Sequence, residues 1–276
     1  MKPAPAGWWG QFHIRPGVMG ILNVTPDSFS DDGAVLDPTH AIAAGRDMAR
    51  AGVAIIDVGG ESTRPGATLV TPEQEQLRIL PVIAGLRDAG VPISVDTRNA
   101  STMAAALDAG ATVVNDVSGL THDPAAAALV ARRGCPVVLM HMRGTPATMT
   151  ALAQYDDPVA EVVRELGRCL ANAQAAGVSP DQIAVDPGIG FAKESSHNVA
   201  LLRALTAFDV FGRTVLIGVS RKRFIGALSE AADGRDRDAG SLAAGLFALS
   251  QGARVLRVHD VASTVRAVRV WQALAG

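Results

Sequence analysis

Four cationic side chains that could bind a phosphate follow apolar segments that lie far apart in the chain. They are Arg64, Lys222, Arg257 and His259. Guanidinium, ammonium and imidazolium groups donate charge-assisted hydrogen bonds to phosphate oxygens. If the fold gathers the ends of those segments, the sequence predicts a site for a phosphate or a diphosphate.

Three hydrogen-bond acceptors hold equivalent positions at the ends of other apolar segments. These residues are Asp96, Asn115 and Asp186. A carboxylate can accept two parallel hydrogen bonds from the N–H pair of an amidine-like heterocycle, as it does from a guanidinium. The acceptors and the cations together predict a site for a polar heterocycle that is joined to an anionic leaving group.

Eight short β-branched or aliphatic runs would position these residues. They are Val18–Asn23, Ala54–Val58, Pro92–Asp96, Thr112–Val117, Pro136–Met142, Gln182–Asp186, Thr214–Gly218 and Arg254–Val258. Runs of this kind are typical of parallel strands that are covered on both faces. Ala-rich segments with helical spacing separate the runs, so the chain alternates between strand and helix.

Start and stop signals delimit the predicted helices. An N-cap residue precedes a proline at the first helical position in Asp37-Pro38, Thr71-Pro72, Asp123-Pro124 and Asp157-Pro158. Glycine marks helix ends at Gly52, Gly90, Gly110, Gly134, Gly177 and Gly252. These signals support the same alternation of strands and helices.

Eight strands alternating with helices over roughly 250 residues predict an α/β fold, the single-domain (β/α)8 TIM barrel, with its active site at the C-terminal ends of the strands. The alternative is an open doubly wound sheet. However, no G-x-G-x-x-G follows the first strand, and no break in composition indicates a second domain. Residues 1–17 would form an N-terminal extension, in which Trp8–Ile14 could add a short strand at the barrel bottom. Residues 18–276 would form the barrel.

Polar residues stand at the predicted C-terminal end of every strand. In chain order they are Asn23, Asp57 with Glu61 to Arg64, Asp96 to Arg98, Asn115 and Asp116, His141 and Arg143, Asp186, Ser220 to Lys222, and Arg257 with His259 and Asp260. A single residue of this kind could be structural. Asp57 could serve the site or only hold the loop that follows it, and Asp116 and Asp260 could cap turns. The role of His141 is open.

Bulk composition excludes several classes of function. The chain has 276 residues, a formal net charge of −2 and 48% hydrophobic residues. This balance gives no support for binding to nucleic acid or to an anionic membrane. No apolar run approaches the roughly 18 residues of a membrane span, and the N-terminus lacks the continuous apolar core of a signal peptide. We therefore expect a cytoplasmic protein.

Cysteine and lysine are both scarce. Cys135 and Cys169 form no C-x-x-C pair, so we expect both to be buried and reduced. The sequence contains no H-E-x-x-H motif and no close His/Cys cluster, so we expect no permanent zinc site. The lysines are Lys2, Lys193 and Lys222, and the last two lie at strand-to-loop junctions.

Seven sequence motifs resemble those of the dihydropteroate synthase family. They are MGILNVTPDSFSDDG (19–33), DVGGESTRPGA (57–67), SVDT (94–97), NDVSG (115–119), DPGIGFAK (186–193), GVSRKRFIG (218–226) and RVHDV (257–261). The motifs follow one another in order and span nearly the whole chain after residue 18. The resemblance implies a pterin-binding (β/α)8 barrel over residues 18–276.

The resemblance also implies a reaction. Members of the family join 6-hydroxymethyl-7,8-dihydropterin diphosphate to p-aminobenzoate, and they release diphosphate and 7,8-dihydropteroate with the help of Mg²⁺. By similarity, the pterin diphosphate would be bound by Thr63, Asp96, Asn115, Asp186, Lys222, Arg257 and His259. The catalytic residues among them would be Asp96, Lys222, Arg257 and His259. Asn23 would meet the Mg²⁺–diphosphate.

The second substrate would have its own pocket. By similarity, p-aminobenzoate would be bound by Phe29, Thr63, Arg64, Pro65, Phe191, Ser220 and Arg223. The loops after the first two strands would close over the site. Sulfonamides, which mimic p-aminobenzoate, would inhibit the enzyme, and the family typically forms a homodimer.

Two positions depart from the family pattern. Asp32 replaces a glycine, which restricts the first loop slightly. Arg223 stands where the family can carry a serine that helps bind the p-aminobenzoate carboxylate, so that anion would be met by Arg223 or by backbone amides at the helix start.

Three other functions compete with this one. A methyltransferase that passes a methyl group from methyltetrahydrofolate to a corrinoid would use a related pterin-binding barrel, but it needs no diphosphate site. A Schiff-base aldolase would use Lys193 or Lys222 as its nucleophile. A non-catalytic paralogue would bind a ligand or a partner without turnover.

Overall fold

Eight parallel strands close into a barrel in the order β1 to β8. The computed structural model describes residues 7–25, 38–63, 66, 69–231 and 234–275. The strands are β1 (Gly17–Asn23), β2 (Ile55–Gly59), β3 (Ile93–Asp96), β4 (Val113–Asp116), β5 (Val137–Met140), β6 (Ile183–Asp186), β7 (Thr214–Ile217) and β8 (Val255–Val258). The predicted TIM barrel is confirmed, with strand ends within two residues of their predicted positions.

Helices surround the barrel. They are α1 (Gln11–Ile14), α2 (Pro38–Ala51), α3 (Pro72–Leu86), α4 (Ala100–Ala109), α5 (Ala126–Arg133), α6 (Pro158–Ala175), α7 (Ser195–Arg203), α8 (Arg223–Ser229), α9 (Asp238–Ser250) and α10 (Val261–Ala275). Shorter 3₁₀ turns lie at Trp8–Gly10, Met149–Leu152, Pro180–Gln182 and Leu205–Phe211. No helix in the described part of the chain is both long enough and apolar enough to span a membrane.

Strand alternation explains why the polar residues face the barrel interior. An inner apolar layer near the barrel bottom contains Ile55, Val113, Ala184 and Val255, one from each of four strands. Side chains two residues apart lie on the same face of a strand. The next inward positions toward the C-terminal ends are therefore Asp57, Asn115, Asp186 and Arg257. The same period brings Asp96 inward after the buried Ser94.

The bottom of the barrel is closed by two aromatic rings. Trp9 and Phe12 pack against the inner apolar layer and are 1% and 5% exposed. Trp9 Nε1 donates to the Gln182 carbonyl over 2.7 Å, and Thr214 Oγ1 donates to the Trp9 carbonyl over 3.1 Å. These contacts fix the extension beneath the strands.

The extended conformation predicted for Trp8–Ile14 is wrong, because the segment forms a 3₁₀ turn followed by α1. Trp9 and Phe12 are three residues apart, and on a helical turn that spacing puts both rings on one face. In an extended chain the same two rings would lie on opposite faces, so only one of them could pack against the barrel. The sequence of a seven-residue segment does not distinguish a strand from a helical turn. The contact with the barrel above it selects the turn.

Helix caps follow the predicted signals with one exception. Thr71 accepts from the Gln74 amide in a capping box, and Asp157 accepts from the first amides of α6. Asp123 accepts from the Ala125 and Ala100 amides, so it joins the start of α4 to the turn before α5, and α5 begins only at residue 126. Asp37 lies outside the described residues. All six predicted helix-ending glycines have positive φ.

Candidate active site

Arg257 connects two carboxylates at the mouth of the barrel. Its Nε donates to Asp57 Oδ2 and its Nη2 donates to Asp96 Oδ2, each over 2.6 Å. Asn115 Nδ2 donates to the same Asp57 oxygen over 3.0 Å. Residues from β2, β3, β4 and β8 therefore form one hydrogen-bonded cluster, which includes three residues that the sequence predicted for the site.

Asp57 is the member of this cluster whose role the sequence left open. Its side chain is 0% exposed, and Oδ1 has no hydrogen-bond partner among the described atoms. A buried carboxylate needs a partner to remain charged. Arg257 is that partner, so Asp57 fixes the guanidinium in the barrel mouth. The inward period from Ile55 was the signal that could have identified it.

Burial and charge act in opposite directions on Asp96 and Arg257. Burial raises the pKa of Asp96 to about 7, and Arg257 opposes that rise. Burial lowers the pKa of Arg257, but the charges of Asp57 and Asp96 raise it more, so its pKa lies above the usual value. Asp96 therefore titrates near neutral pH, and the neighbouring Arg257 is the group that favours its ionised form.

Asp186 and Lys222 lie at the opposite side of the mouth, around the loop after β6. Asp186 Oδ1 accepts from the Gly188 amide over 2.7 Å, and burial raises the pKa of Asp186. Lys222 Nζ donates to the Ile189 carbonyl and lies 4.3 Å from the Phe191 ring centroid. Burial lowers the pKa of Lys222 to about 8, although Asp186 opposes that shift.

Gly190 permits the close approach of this loop to Lys222. Its φ is +81°, and a Cβ placed there would lie 2.7 Å from Lys222 Cδ. Any other residue would be strained by the backbone angle and would also displace the lysine side chain. The glycine therefore helps to hold the ammonium group near Asp186.

Ser220 orients His259. Ser220 Oγ lies 3.0 Å from His259 Nδ1 and accepts from the His259 amide over 3.1 Å. The two residues follow β7 and β8, so this pair joins neighbouring loops at the rim. Ser220 therefore holds the His259 ring through Nδ1 and not through Nε2. Both residues were predicted for the site, although for different substrates.

The remaining predicted residues lie around this mouth or outside the described chain. Phe29, Arg64 and Pro65 lie outside the described residues. Thr63 and Phe191 are half-buried, and Arg223 is exposed at the first position of α8.

Several other polar residues prove to be structural. Asp116 accepts from the amides of Ser118 and Leu120, and Asp260 accepts from the Ser263 amide at the start of α10. Both carboxylates therefore cap turns, which is one of the roles that the sequence left open for them. A buried ion pair between Arg98 and Glu61, 3.1 Å apart, ties the end of β3 to the loop after β2.

A second buried network lies beyond Asp186. Lys193 Nζ is 2.9 Å from His141 Nδ1, and His141 Nε2 is 2.9 Å from Glu165 Oε2. Arg143 donates to both Glu165 and Glu161. His141 and Arg143 were seen at the strand end in the sequence, but Glu165 on α6 was not. Helix periodicity gave no sign that a residue in mid-helix would reach the barrel rim.

Asn23 is the only residue that the sequence analysis assigned to a metal. The side chains around it determine how many protein ligands a metal ion could have there. Among the described residues, no three His, Cys, Asp or Glu side chains gather as metal ligands. Asn23 is half-buried at the end of β1 and offers one amide oxygen. Mg²⁺ often keeps several waters and binds through substrate phosphates with one or two protein ligands. A single amide oxygen of this kind fits a Mg²⁺ ion that is held mainly by a diphosphate and by water.

Comparisons with known proteins agree with this geometry. The sequence profile of the pterin binding enzymes matches residues 19–259. A dihydropteroate synthase of Synechocystis sp. is 43% identical over 277 residues, which cover 99% of this chain and 95% of the relative.

Solved structures of the same family superpose closely. A Xanthomonas albilineans dihydropteroate synthase with 4-aminobenzoic acid is 48% identical, with a TM-score of 0.89 and coverage of 95% of this chain and 94% of the other. A Yersinia pestis dihydropteroate synthase in a sulfonamide drug complex is 40% identical, with a TM-score of 0.89 and coverage of 95% of each chain. Because profile, identity and fold agree over nearly the whole length, this chain belongs to the pterin binding enzymes, in the dihydropteroate synthase family.

Proposed function

We propose that this protein condenses 6-hydroxymethyl-7,8-dihydropterin diphosphate with p-aminobenzoate to give 7,8-dihydropteroate and diphosphate. Family membership supports the reaction, and the Xanthomonas albilineans relative binds 4-aminobenzoic acid. The observation that carries the proposal is the cluster of Arg257 with Asp57 and Asp96 across the barrel mouth from Asp186. It combines a cation for the leaving group with acceptors for the heterocycle.

The pterin would lie between the two sides of the mouth. Asp186 would accept from the 2-amino group and N3 of the ring, through the two parallel bonds that a carboxylate makes with such an edge. Asn115 and Lys222 would bind the remaining polar edge. All three residues are inward or half-buried at the strand ends, where few water molecules would compete with these hydrogen bonds.

Arg257 would reach the diphosphate from its place between the two carboxylates. Its Nε and Nη2 would stay on Asp57 and Asp96, and Nη1 would donate to a phosphate oxygen. Asp96 would then face the pterin methylene group as a carboxylate, because Arg257 stays beside it. His259, oriented by Ser220, would donate to the same diphosphate, and Thr63 would line its site.

The substitution would be SN1-like. As the carbon–oxygen bond breaks, the diphosphate takes the electron pair and the methylene carbon becomes a cation conjugated with the pterin. Asp96 would stabilise that positive charge. The amine nitrogen of p-aminobenzoate would then form the carbon–nitrogen bond and lose a proton. No strong general base is needed for this step.

Mg²⁺ would supply further charge neutralisation to the leaving diphosphate when it is bound. Asn23 would hold it through the side-chain oxygen at the end of β1. For the second substrate we propose contacts with Phe29, Thr63, Arg64, Pro65, Phe191, Ser220 and Arg223. Phe191 beside Lys222 supports one wall of that pocket.

Sulfonamides should compete with p-aminobenzoate. The Yersinia pestis relative was solved in a sulfonamide drug complex, which supports this proposal. In steady-state assays a sulfonamide should raise the apparent KM for p-aminobenzoate and leave kcat unchanged. Inhibition that persists at saturating p-aminobenzoate would contradict a shared pocket.

We further propose that the protein acts in the cytoplasm as a homodimer. Phe247 on α9 and Val270 and Leu274 on α10 are 43%, 61% and 84% exposed, which supports an interface formed by the last helices. Light scattering coupled to gel filtration should give twice the 28.5 kDa chain mass. A monomer at micromolar concentration would contradict this assembly.

The reaction itself is tested by turnover. Purified protein, the pterin diphosphate, p-aminobenzoate and Mg²⁺ should release diphosphate together with an equal amount of 7,8-dihydropteroate. Omission of p-aminobenzoate should suppress dihydropteroate formation. Diphosphate release without dihydropteroate would indicate hydrolysis and contradict the proposed condensation.

A further inference from the structure

Two of the three lysines in the chain converge on one loop, which runs from Asp186 to Lys193 after β6. Lys222 Nζ donates to the Ile189 carbonyl, and Lys193 Nζ donates to the Phe191 carbonyl over 2.9 Å. Lys222 belongs to the proposed pterin site. Lys193 is 9% exposed and has no role in the reaction described above.

Lys193 is held by a chain of hydrogen bonds that begins outside the barrel. Arg143 Nε donates to Glu165 Oε2 over 2.9 Å, and that oxygen lies 2.9 Å from His141 Nε2. His141 Nδ1 lies 2.9 Å from Lys193 Nζ. The chain therefore links α6 through the end of β5 to the loop after β6.

Protonation fixes the direction of these bonds. Burial lowers the pKa of His141 to about 4, and the hydrogen bond from Arg143 lowers the pKa of Glu165 to about 2. At neutral pH the histidine is thus neutral and the glutamate is ionised. A carboxylate can only accept, so the histidine proton lies on Nε2. Nδ1 must then accept from Lys193.

The backbone around Phe191 depends on such contacts. Gly190 and Ala192, on either side of it, have φ values of +81° and +48°. An alanine rarely adopts the left-handed region, and surrounding contacts must hold it there. Ala192 is buried, and Lys193 fixes the carbonyl that precedes it. The Phe191 ring is directed toward Lys222, with its centroid 4.3 Å from Nζ.

We propose that Lys193 is a positioning residue for p-aminobenzoate. It fixes the Phe191 carbonyl and so the direction of the Phe191 ring, while His141 and Glu165 hold its terminal nitrogen in place. The inference rests on the proposed function, in which Phe191 forms a wall of the second-substrate pocket. It assigns no bond-making step to Lys193.

Kinetics of two variants test this role. Lys193→Met keeps the length of the side chain but cannot donate, so the KM for p-aminobenzoate should rise about fivefold, the effect of losing one ordinary hydrogen bond. The KM for the pterin diphosphate should change by less than about twofold. Glu165→Gln weakens the hold on His141 and should raise the KM for p-aminobenzoate by a smaller factor.

Arg164→Met is the matched control on α6. Arg164 is 55% exposed, and its ion pair with Glu161 spans 3.8 Å. Neither KM should change in this variant, because Arg164 takes no part in the chain from Arg143 to Lys193. The control separates a general effect of removing a cation near α6 from the specific loss of the Lys193 contact.

The outcomes separate the inference from the function on which it rests. An unchanged KM for p-aminobenzoate in Lys193→Met, or an equal rise for both substrates, would overturn the positioning role even if stability falls. If Lys193→Met does not fold, Glu165→Gln decides: a raised KM for p-aminobenzoate alone supports the role, and an unchanged one overturns it. A wild-type protein without turnover would overturn both proposals.

Discussion

Asp57→Asn should show how far activity depends on the support that Asp57 gives to Arg257. The substitution leaves the proposed substrate contacts of Arg257 itself in place. The substitution keeps the shape of a side chain that is 0% exposed but removes its charge. Asp57 Oδ2 now accepts from Arg257 over 2.6 Å and from Asn115 over 3.0 Å. An amide oxygen in the place of Oδ2 can keep both hydrogen bonds, so the substitution removes only the negative charge that pairs with Arg257. A charge-assisted hydrogen bond contributes about 1.5–3 kcal/mol, and loss of the acceptor's charge removes about half of that, which predicts a fall in kcat/KM of about 3- to 10-fold.

Asp57→Asn should lower the free energy of unfolding by less than the full cost of breaking a buried ion pair. Breaking a fully buried ion pair costs about 3–5 kcal/mol. The Arg257 side chain is 20% exposed and keeps Asp96 as a partner, so we expect a smaller loss in the free energy of unfolding. Denaturant titration measures that loss, and a coupled diphosphate-release assay measures kcat/KM on the same preparation.

Asp88→Asn is the control for removing one carboxylate charge. Asp88 pairs with Arg46 over 3.0 Å, and the two side chains are 76% and 47% exposed. An exposed pair of this kind contributes roughly 0–1 kcal/mol, and this one lies far from the rim. Its kcat/KM should match that of the wild type. If Asp57→Asn also kept wild-type kcat/KM, Asp57 would have no part in holding Arg257 for the reaction.

Three further predictions follow from the same structure. Asp186→Ala should lose pterin binding in calorimetry, whereas His259→Ala should bind the pterin and lose affinity mainly for diphosphate; normal pterin binding by Asp186→Ala would refute the edge contact. The kcat/KM for the pterin diphosphate should fall below about pH 7 as Asp96 gains a proton and above about pH 8 as Lys222 loses one; a flat profile would contradict this. Trp9→Ala should cost about 3–5 kcal/mol of unfolding free energy with unchanged kcat/KM; an equal loss of activity would place the barrel bottom in the reaction.

The barrel could be predicted because its signals are local. Each strand is a short apolar run, and several helices begin or end at a recognisable cap such as Thr71 or Gly134. Because the C-terminal ends of parallel strands meet at one rim, residues as distant as Asp96 and Arg257 could be assigned to one site without knowledge of any contact.

Contacts between side chains could not be predicted in the same way. Asp57 and Arg257 lie 200 residues apart, and their pairing depends on how two long-separated strands are placed around the barrel. The sequence therefore left Asp57 open between a site role and a loop role. The approach of Glu165 from α6 to His141 depends on helix rotation in the same manner.

Short segments whose sequence fits two different local structures were the other source of error. Trp8–Ile14 fits an extended strand as well as a helical turn, and only the apolar layer above it selects the turn. Asp123 has the sequence of an N-cap, but its carboxylate also reaches the start of α4, and α5 begins later than its proline indicates.

The central claim is that one barrel mouth joins a pterin diphosphate to p-aminobenzoate, and product formation tests it most directly. Wild-type protein with both substrates and Mg²⁺ should form 7,8-dihydropteroate and diphosphate in a one-to-one ratio, and Arg257→Met should reduce both rates together. Absence of dihydropteroate from the wild-type reaction, with both substrates present, would contradict the account.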